Sequence, residues 1–253
     1  MKIYKLQNKI TKKEGFYVFK GKNFYKINND IYNSNISFSK SPIKTSLYKK
    51  VLPFNPSKVI CLAINYDGIT GFKKNMKEPL VFLKSPNALT INKNIKLNFL
   101  THKAWGEPEL GILIKRKLRN IKKINKKIDI LGYCLANDIS CYNIENRDHH
   151  LARAKSADNY CPISDYFLTD FICRNKQISC KHNNRLLRNG NTDQMMWDVD
   201  KIIIWLSSWM TLIPGDLILT GSPPRIRDRQ FFKKNDSFEI YLEDFGKLKK
   251  KII

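Results

Sequence analysis

Long apolar runs, a secretory leader and paired cysteines are all absent from this sequence. No segment approaches the ~20 uninterrupted apolar residues that a membrane helix needs, and the basic start, MKIYKLQNKITKKEG, lacks the apolar core of a signal peptide. The six cysteines form no C-x-x-C pair, and Cys61 and Cys134 lie in apolar runs that predict small buried side chains. His149 and His150 are adjacent, which favours loop residues over a zinc site. These absences predict a soluble, cytoplasmic protein that does not associate with membranes.

Acidic residues are also scarce, since 22 Asp and Glu stand against 46 Lys and Arg, a formal net charge of +24. Such an excess normally suggests nucleic acid as a partner. Here the lysines are scattered and mixed with abundant Asn and Ile, and no RNA- or DNA-binding module accompanies them. The densest basic run, residues 115–127, predicts a solvated connection. We therefore do not expect nucleic-acid binding, although the charge can steer an anionic substrate to the protein.

The chain is long enough, at 253 residues with 42% hydrophobic content, for one large domain with a small appendage. Residues 1–55 predict a small N-terminal β module and linker. Its apolar pieces Phe16–Phe19 and Phe24–Ile27 flank a Gly- and Asn-containing turn, which indicates a hairpin. The stretch from Ser41 to Pro56 is polar and contains proline, so it is typical of a linker. Residues 56–253 are predicted to form the main domain.

The main domain shows strand after strand and one clear helix, which predicts a β-rich, mixed α/β roll or barrel-like fold. The helix is expected to begin at Thr192 or Asp193 and to end before Pro214-Gly215. Its Met and Trp residues predict core packing. The predicted strands are Val59–Ile64, Leu80–Leu83, Glu109–Ile114, Ile130–Ala136, Tyr166–Cys173, Gln177–Lys181, Leu217–Thr220, Phe238–Leu242 and Leu248–Ile253.

Three acids lie at the ends of predicted strands. Glu107 and Glu109 stand two residues apart at the start of an apolar run, so a strand would point both side chains to the same face. Asp138 follows the next apolar run. Converging carboxylates suit a hard divalent cation. The alternative is that Glu107 and Glu109 are solvated residues on an edge strand.

Seven short motifs, read together, have the order and spacing of the fumarylacetoacetate hydrolase superfamily. They cover residues 58–253. They are Ile64-Asn65-Tyr66, Pro79 to Pro86, Glu107 to Leu110, Gly132 to Ser140, Ala154 to Asp158 with Cys161-Pro162, Gly190 to Thr192, and Pro214 to Pro223.

This resemblance implies a rolled mixed β-sheet, a homodimer and a Mg²⁺ or Mn²⁺ site formed by Glu107, Glu109 and Asp138. Three carboxylates would leave coordination positions for water and for two oxygens of a 2-oxo acid. Developing enolate charge could then spread onto the metal. The cofactor expected from the resemblance is therefore Mg²⁺ or Mn²⁺.

The resemblance also assigns residues that contact the substrate. Lys155 is similar to the lysine that faces the substrate in this superfamily, and it is the predicted catalytic residue. Ser222 and Gly221 lie where the superfamily has a turn that can hold a carboxylate. Asn65 and Tyr66 precede the lid segment and are expected to line the pocket.

Several positions depart from the superfamily pattern. Ile69 and Phe72 stand where many members have a lid histidine and an acid that activate water, and neither side chain can transfer a proton. Gly68 and Gly71 argue against a firm lid helix. Tyr142 replaces an arginine that commonly contacts the substrate. After Pro224, Arg225-Ile226-Arg227 replaces expected glycines and predicts a solvated loop, with compensating anion binding as the alternative.

These features favour a metal-dependent lyase or isomerase that acts on an enolisable 2-oxo dicarboxylate, of the 2-hydroxyhepta-2,4-diene-1,7-dioate isomerase or decarboxylase type. Hydrolysis of a C–C bond, as in fumarylpyruvate- or fumarylacetoacetate-type hydrolases, is the alternative. Dehydration or hydration of a sugar-acid-like substrate stays open, because the same enolate serves it. A degenerate, non-catalytic binding protein is the remaining hypothesis, because the lid histidine, the lid acid and the arginine are all replaced.

Overall fold

This computed structural model describes residues 1–32, 35–69, 71, 76–97, 103–142 and 151–253. The strands are β1 Lys2–Asn8, β2 Glu14–Lys20, β3 Asn23–Lys26, β4 Tyr48–Lys50, β5 Val59–Ala63, β6 Leu80–Lys84, β7 Leu89–Thr90, β8 Asn94–Ile95, β9 Pro108–Ile114, β10 Ile130–Asn137, β11 Cys161–Pro162, β12 Phe167–Leu168, β13 Gln177–His182, β14 Arg185–Asn191, β15 Leu217–Leu219, β16 Ser237–Leu242 and β17 Gly246–Ile252. The helices are α1 Lys126–Asp129, α2 Ala152–Ser156 and α3 Val199–Trp209.

Two sheets dominate the described part of the chain. A ten-stranded sheet has the order β3-β2-β1-β12-β10-β9-β15-β5-β6, with β4 added beside β1. A five-stranded sheet has the order β14-β13-β16-β17-β8, and β11 pairs with β7. The predicted β-rich mixed fold is confirmed. The larger sheet does not close into a barrel among the described residues, because β3 and β6 stand at its two ends.

Strands β9 and β10 lie at the centre of the larger sheet and are buried along their whole length. Their nearly continuous apolar sequence is expected of strands covered on both faces. Glycine makes the close packing possible, because a Cβ added at Gly111 would lie 2.5 Å from Cys134 Sγ. Cys61 and Cys134 are both fully buried, as predicted, and all six cysteines are free.

The N-terminal hairpin is confirmed, because β2 and β3 pair from Tyr17 opposite Lys26 to Lys20 opposite Asn23. Strand β1 was not predicted. It pairs with β2 on one side and with β12 on the other, so the N-terminal strands extend the larger sheet. The domain boundary at residue 55 stays a prediction.

The long helix begins later than predicted. Asp198 caps α3, and its Oδ1 accepts a hydrogen bond of 2.9 Å from Lys201 N. The expected caps at 192 and 193 instead belong to a separate 3-10 turn, Thr192–Gln194, that is closed by a capping box between Asn191 and Gln194. Extended backbone at Met195 separates the two.

The helix does not pack as fully as predicted, since Trp209 is 47% exposed. No helix in the described ranges is both long and apolar enough to cross a membrane.

The strand predicted over Tyr166–Cys173 is reduced to Phe167–Leu168. After this strand, the side chains of Thr169 and Asp170 accept hydrogen bonds of 2.9 Å and 3.3 Å from the N-terminal amine. The basic run 115–127 is mostly exposed, as predicted, but buried Leu118 ties it to Leu212 through paired backbone hydrogen bonds.

Candidate metal and substrate site

The three predicted metal ligands stand at the paired ends of β9 and β10, which are antiparallel neighbours. Glu107 immediately precedes β9, and Asp138 immediately follows β10. Ala136 pairs with Glu109 in the register, and Asp138 N donates a hydrogen bond of 2.9 Å to Glu107 O. Because the two strands are antiparallel, the start of β9 lies beside the end of β10, and all three acids are therefore at the same end of these two central strands. The alternative of a solvated edge strand is excluded, since β9 is central.

Glu107 is held by two cations. Its Oε1 lies 2.7 Å from Arg188 Nη2, and its Oε2 lies 3.2 Å from Lys155 Nζ. Ser140 Oγ also donates to Oε2 at 3.2 Å. Burial alone would raise the pKa of Glu107, but the charges of Lys155 and Arg188 outweigh it and hold the pKa at about 2. Glu107 is therefore ionised at neutral pH.

Asp138 is 1% exposed and lies between two lysines. Lys155 Nζ is 2.5 Å from Oδ2, and Lys84 Nζ is 2.7 Å from Oδ1. The Lys84 ammonium donates hydrogen bonds to the backbone carbonyls of Ile139, Lys155 and Tyr160. Oδ1 thus accepts no directed hydrogen bond, and its contact with Lys84 is electrostatic.

Glu109 is 2% exposed, and its Oε2 accepts a hydrogen bond of 2.8 Å from Gly221 N. Its pKa is raised well above the ordinary value, first by burial and next by the negative charge of Asp138, while Lys155 opposes the shift. Glu109 is therefore a buried acid beside another acid, and the Lys155 charge and the Gly221 hydrogen bond are the groups that favour its ionised form.

Lys155 bridges Glu107 and Asp138 from α2. Burial works to lower its pKa, but Asp138 and Glu107 outweigh this and raise the pKa above the ordinary lysine value. Its ammonium also lies 4.7 Å from the centre of the Phe82 ring. In this arrangement Lys155 carries a positive charge between the two carboxylates.

The predicted substrate-binding residues surround this cluster. Asn65 is fully buried, and its side chain donates to Trp197 O and Thr220 O while it accepts from Trp197 N, so it ties three segments together. Tyr66 is also fully buried. Ser222 is 5% exposed, and its Oγ has no hydrogen-bond partner among the described residues. Their roles in substrate binding stay predictions.

A cavity of about 800 Å³ opens beside Glu107. Among the described residues it is lined by Gly68, Ile69, Glu107, Arg185, Arg188 and residues 225–230. The loop that the sequence predicted to be solvated therefore forms one wall of the cavity.

Ile69, which stands at the expected histidine position, lines the cavity. Gly68 and Gly71 adopt φ values of +77° and +89°, which a continuous right-handed helix does not contain. Phe72, His149 and His150 lie outside the described residues.

The donor set suits a divalent cation. Glu107, Glu109 and Asp138 offer only carboxylate oxygens, which Mg²⁺ and Mn²⁺ prefer. Burial is the main reason that the pKa of Glu109 is raised, and the negative charge of Asp138, which a cation would neutralise, is the next. Lys155 lies against two of these acids. Within the described ranges, no three His, Cys, Asp or Glu side chains are arranged so that they could hold a metal ion. Lys155 would have to withdraw from the carboxylates to admit a cation.

Two residues of the cluster were missed by sequence reasoning. Lys84 ends β6 within the Pro79–Pro86 motif. A lysine at the end of an apolar strand could have indicated a buried charge near the site. Arg188 is 4% exposed on β14 and was one basic residue among 46, so nothing in the sequence distinguished it.

A family model described as the C-terminal domain of fumarylacetoacetate (FAA) hydrolase matches residues 58–253. This chain belongs to that family. The predicted family membership is thereby confirmed over the segment that carries all seven motifs.

Related FAA hydrolase family proteins cover most of the chain. An uncharacterized protein of Methanocaldococcus jannaschii is 33% identical over 87% of this chain and 92% of its own length. A mitochondrial oxaloacetate tautomerase of Bos taurus is 30% identical over 78% of this chain and 67% of its own length.

Solved structures show the same fold at lower identity. The 2-hydroxyhepta-2,4-diene-1,7-dioate isomerase of Mycobacterium marinum superposes with a TM-score of 0.82 at 24% identity, over 100% of this chain and 98% of its own. This likeness includes the N-terminal strands, which lie outside the segment matched by the family model.

Proposed function

We propose that this protein is a divalent-metal-dependent enzyme that enolises a 2-oxo dicarboxylate, as a tautomerase or isomerase. The observation that carries the proposal is the carboxylate set of buried Glu109, buried Asp138 and partly exposed Glu107, with Lys155 in contact with two of them. The names of the relatives support the same chemistry, since they include an oxaloacetate tautomerase and a dienedioate isomerase.

In this proposal Glu107, Glu109 and Asp138 hold Mg²⁺ or Mn²⁺. When bound, the cation supplies Lewis-acid stabilisation of negative charge on the substrate oxygens. The Lys155 ammonium supplies a second positive charge at the same place, where it can stabilise an oxyanion or a carboxylate. Burial of Glu109 and Asp138 strengthens these interactions, because both side chains are shielded from water.

Enolisation is favoured over C–C hydrolysis by the residue at position 69. Ile69 lines the cavity where a water-activating histidine is expected, and an alkyl side chain cannot accept a proton. Keto–enol exchange and double-bond migration move a proton from one substrate atom to another but consume no water, so they do not need a base that activates water.

The test is a spectroscopic assay of enol-oxaloacetate. We expect the purified protein with Mg²⁺ or Mn²⁺ to accelerate the loss of enol absorbance, and we expect chelation and Glu109→Gln each to remove the acceleration. Glu14→Gln is the matched control, because Glu14 lies in an exposed ion pair with Lys5 on the N-terminal hairpin.

Products of longer substrates separate the remaining hypotheses. Migration of a double bond in a dienedioate or release of CO₂ would support an isomerase or a decarboxylase, whereas cleavage of a fumarylpyruvate-type compound would support the hydrolase. No metal-dependent change in any of these compounds would overturn the proposal in favour of a non-catalytic binding protein.

Assembly as a homodimer is part of the same proposal. Leu80 and Leu83 are 51% and 52% exposed on β6, which is the last strand of the larger sheet, so an apolar edge is available to a second copy. Sedimentation equilibrium of the wild-type protein and of Leu83→Lys tests this assembly.

A further inference from the structure

The lining of the cavity beside Glu107 is rich in arginine. Arg185, Arg188, Arg225, Arg227 and Arg229 line it, against only Glu107 and Asp228 among the described acids. Five guanidinium groups in one cavity repel one another unless anions separate them. The partners of each group therefore indicate what the cavity binds.

Two of these arginines are already engaged. Arg188 contacts Glu107 and donates to Pro223 O at 2.6 Å. The guanidinium carbon of Arg229 lies 3.8 Å from the centre of the Trp105 ring and 5.5 Å from that of Tyr142, which fixes its plane by stacking. These contacts place two positive charges rigidly in the wall.

Arg185, Arg225 and Arg227 have no such partners. All three are exposed, and the described residues place no carboxylate within 4.0 Å of them. The pKa of Arg225 is lowered by partial burial and then by the charges of Arg229 and Arg188. The positive charge in this part of the cavity is thus in excess of what the described residues neutralise.

The arginine loop, residues 225–229, is nevertheless attached to the sheet. Arg225 bridges to Arg188 in antiparallel register, and Ile226 N donates to Leu187 O at 2.9 Å. The backbone that carries Arg225 and Arg227 is therefore positioned by β14, the strand that also carries the Glu107 partner, Arg188. Excess positive charge on a fixed backbone is a property of an anion site.

We infer that the arginine loop and Arg185 form a subsite for a second anionic group of the substrate, a carboxylate or a phosphoryl group remote from the 2-oxo acid. The inference rests on the proposed function for the location of the 2-oxo acid at the carboxylate cluster. Bidentate contacts from guanidinium groups suit both anion types. A cavity of about 800 Å³ is within the ~300–1,000 Å³ range of drug-sized ligands, which favours substrates longer than oxaloacetate.

The test compares ligands that differ only at the distal end. Calorimetry measures the affinity of 2-oxoadipate against 2-oxohexanoate, in which a methyl group replaces the distal carboxylate, and of 3-phosphonopyruvate against 2-oxobutyrate. Each pair is titrated with Mg²⁺ into the wild-type protein, into Arg225→Gln/Arg227→Gln, and into Arg174→Gln. Arg174 is the control because it is an exposed arginine that does not line this cavity.

We expect the anionic member of at least one pair to bind about tenfold more tightly to the wild-type protein. The double variant should lose this preference while it keeps its affinity for the methyl-terminated ligands, which also shows that it is folded. Arg174→Gln should retain the preference. The pair that responds identifies the carboxylate or the phosphoryl group as the preferred anion.

A preference that survives in the double variant, or no preference in the wild-type protein, would overturn the inference. A preference that depends on Arg225 and Arg227 in a protein that does not tautomerise oxaloacetate would sustain the anion subsite and would count against the proposed function alone.

Discussion

Lys84 Nζ lies 2.7 Å from Asp138 Oδ1, and the two side chains are 0% and 1% exposed. Lys84 also donates to three backbone carbonyls, so its charge is fully surrounded by acceptors. This lysine therefore fixes a candidate metal ligand in place and joins β6 to the segments around Ile139 and Tyr160. It connects the stability of the fold to the geometry of the site.

Lys84→Met should destabilise the protein strongly. Removing one member of a buried pair leaves Asp138 facing only Lys155, and such changes cost about 3–5 kcal/mol. Urea unfolding measures the free energy. The control is Lys50→Met, which breaks an exposed pair with Asp165 and should cost less than ~1 kcal/mol. Equal losses in both variants would contradict the central role of Lys84.

Lys155→Met should bind Mn²⁺ more tightly and lose activity. The Lys155 ammonium lies against Glu107 and Asp138, so a divalent cation must compete with it for the same oxygens. Removing the ammonium should raise Mn²⁺ affinity about tenfold, equivalent to ~1.4 kcal/mol. Titration calorimetry measures this without any assay of activity.

Lys247→Met is the matched control for Mn²⁺ binding, because Lys247 pairs with Glu239 and its side chain is 59% exposed. Weaker Mn²⁺ binding by Lys155→Met would show that Lys155 supports the metal site instead of competing with the cation.

Glu107 should make stability depend on acid pH in metal-free protein. Its folded pKa of about 2 lies below the unfolded value of ~4.3. The unfolded chain therefore takes up the proton first as pH falls, so the contribution of Glu107 is complete above about pH 5 and is lost progressively towards pH 2. Glu107→Gln should be less stable than the wild-type protein at pH 7, and the two should converge as the pH approaches 2. A difference that does not change with pH would contradict the ion pairs with Lys155 and Arg188.

Gly221→Ala should destabilise the protein and disturb Glu109. Gly221 has a φ of +88°, and a Cβ there would lie 3.0 Å from Asn65 Cβ and 3.2 Å from Leu62 O. Gly21→Ala is a matched control, since Gly21 has a φ of +63° and nothing within 4 Å of the added Cβ. Both variants carry backbone strain of ~1–2 kcal/mol. Thermal unfolding should show a larger loss for Gly221→Ala, and Mn²⁺ affinity should fall in that variant alone.

The positions of the acids and the strand pattern followed from local sequence. The period of apolar residues predicted β5, β9, β10, β15 and β16 to within about two residues, because burial on one or both faces imposes that pattern wherever the strands pair. The helix start was wrong, because Asn191 and Gln194 close a separate turn that competes with a continuous helix. Local sequence propensity does not show which of two neighbouring capping residues begins the long helix.

Ion-pair partners could not be deduced in the same way. Lys84 and Asp138 are 54 residues apart, and Glu107 and Arg188 are 81 residues apart, on different sheets. In a chain with 46 basic residues, no spacing selects the two that face these carboxylates. For Asn65, in contrast, the motif singled out the residue and predicted that it lines the pocket. The tertiary structure adds that its side-chain amide is hydrogen-bonded to the backbone of Trp197 and Thr220.

The sequence by itself determined the family, the β-rich fold and the three carboxylates, because these depend on residue order and on the period of a strand. Only the tertiary structure decided which lysines and arginines neutralise those acids and where positive charge is left over. Electrostatic compensation depends on distance in space and on burial, and neither is encoded in the spacing of residues along the chain. For that reason the carboxylates could be named from the sequence, whereas Lys84, Arg188 and the unpaired charge of the arginine loop could not.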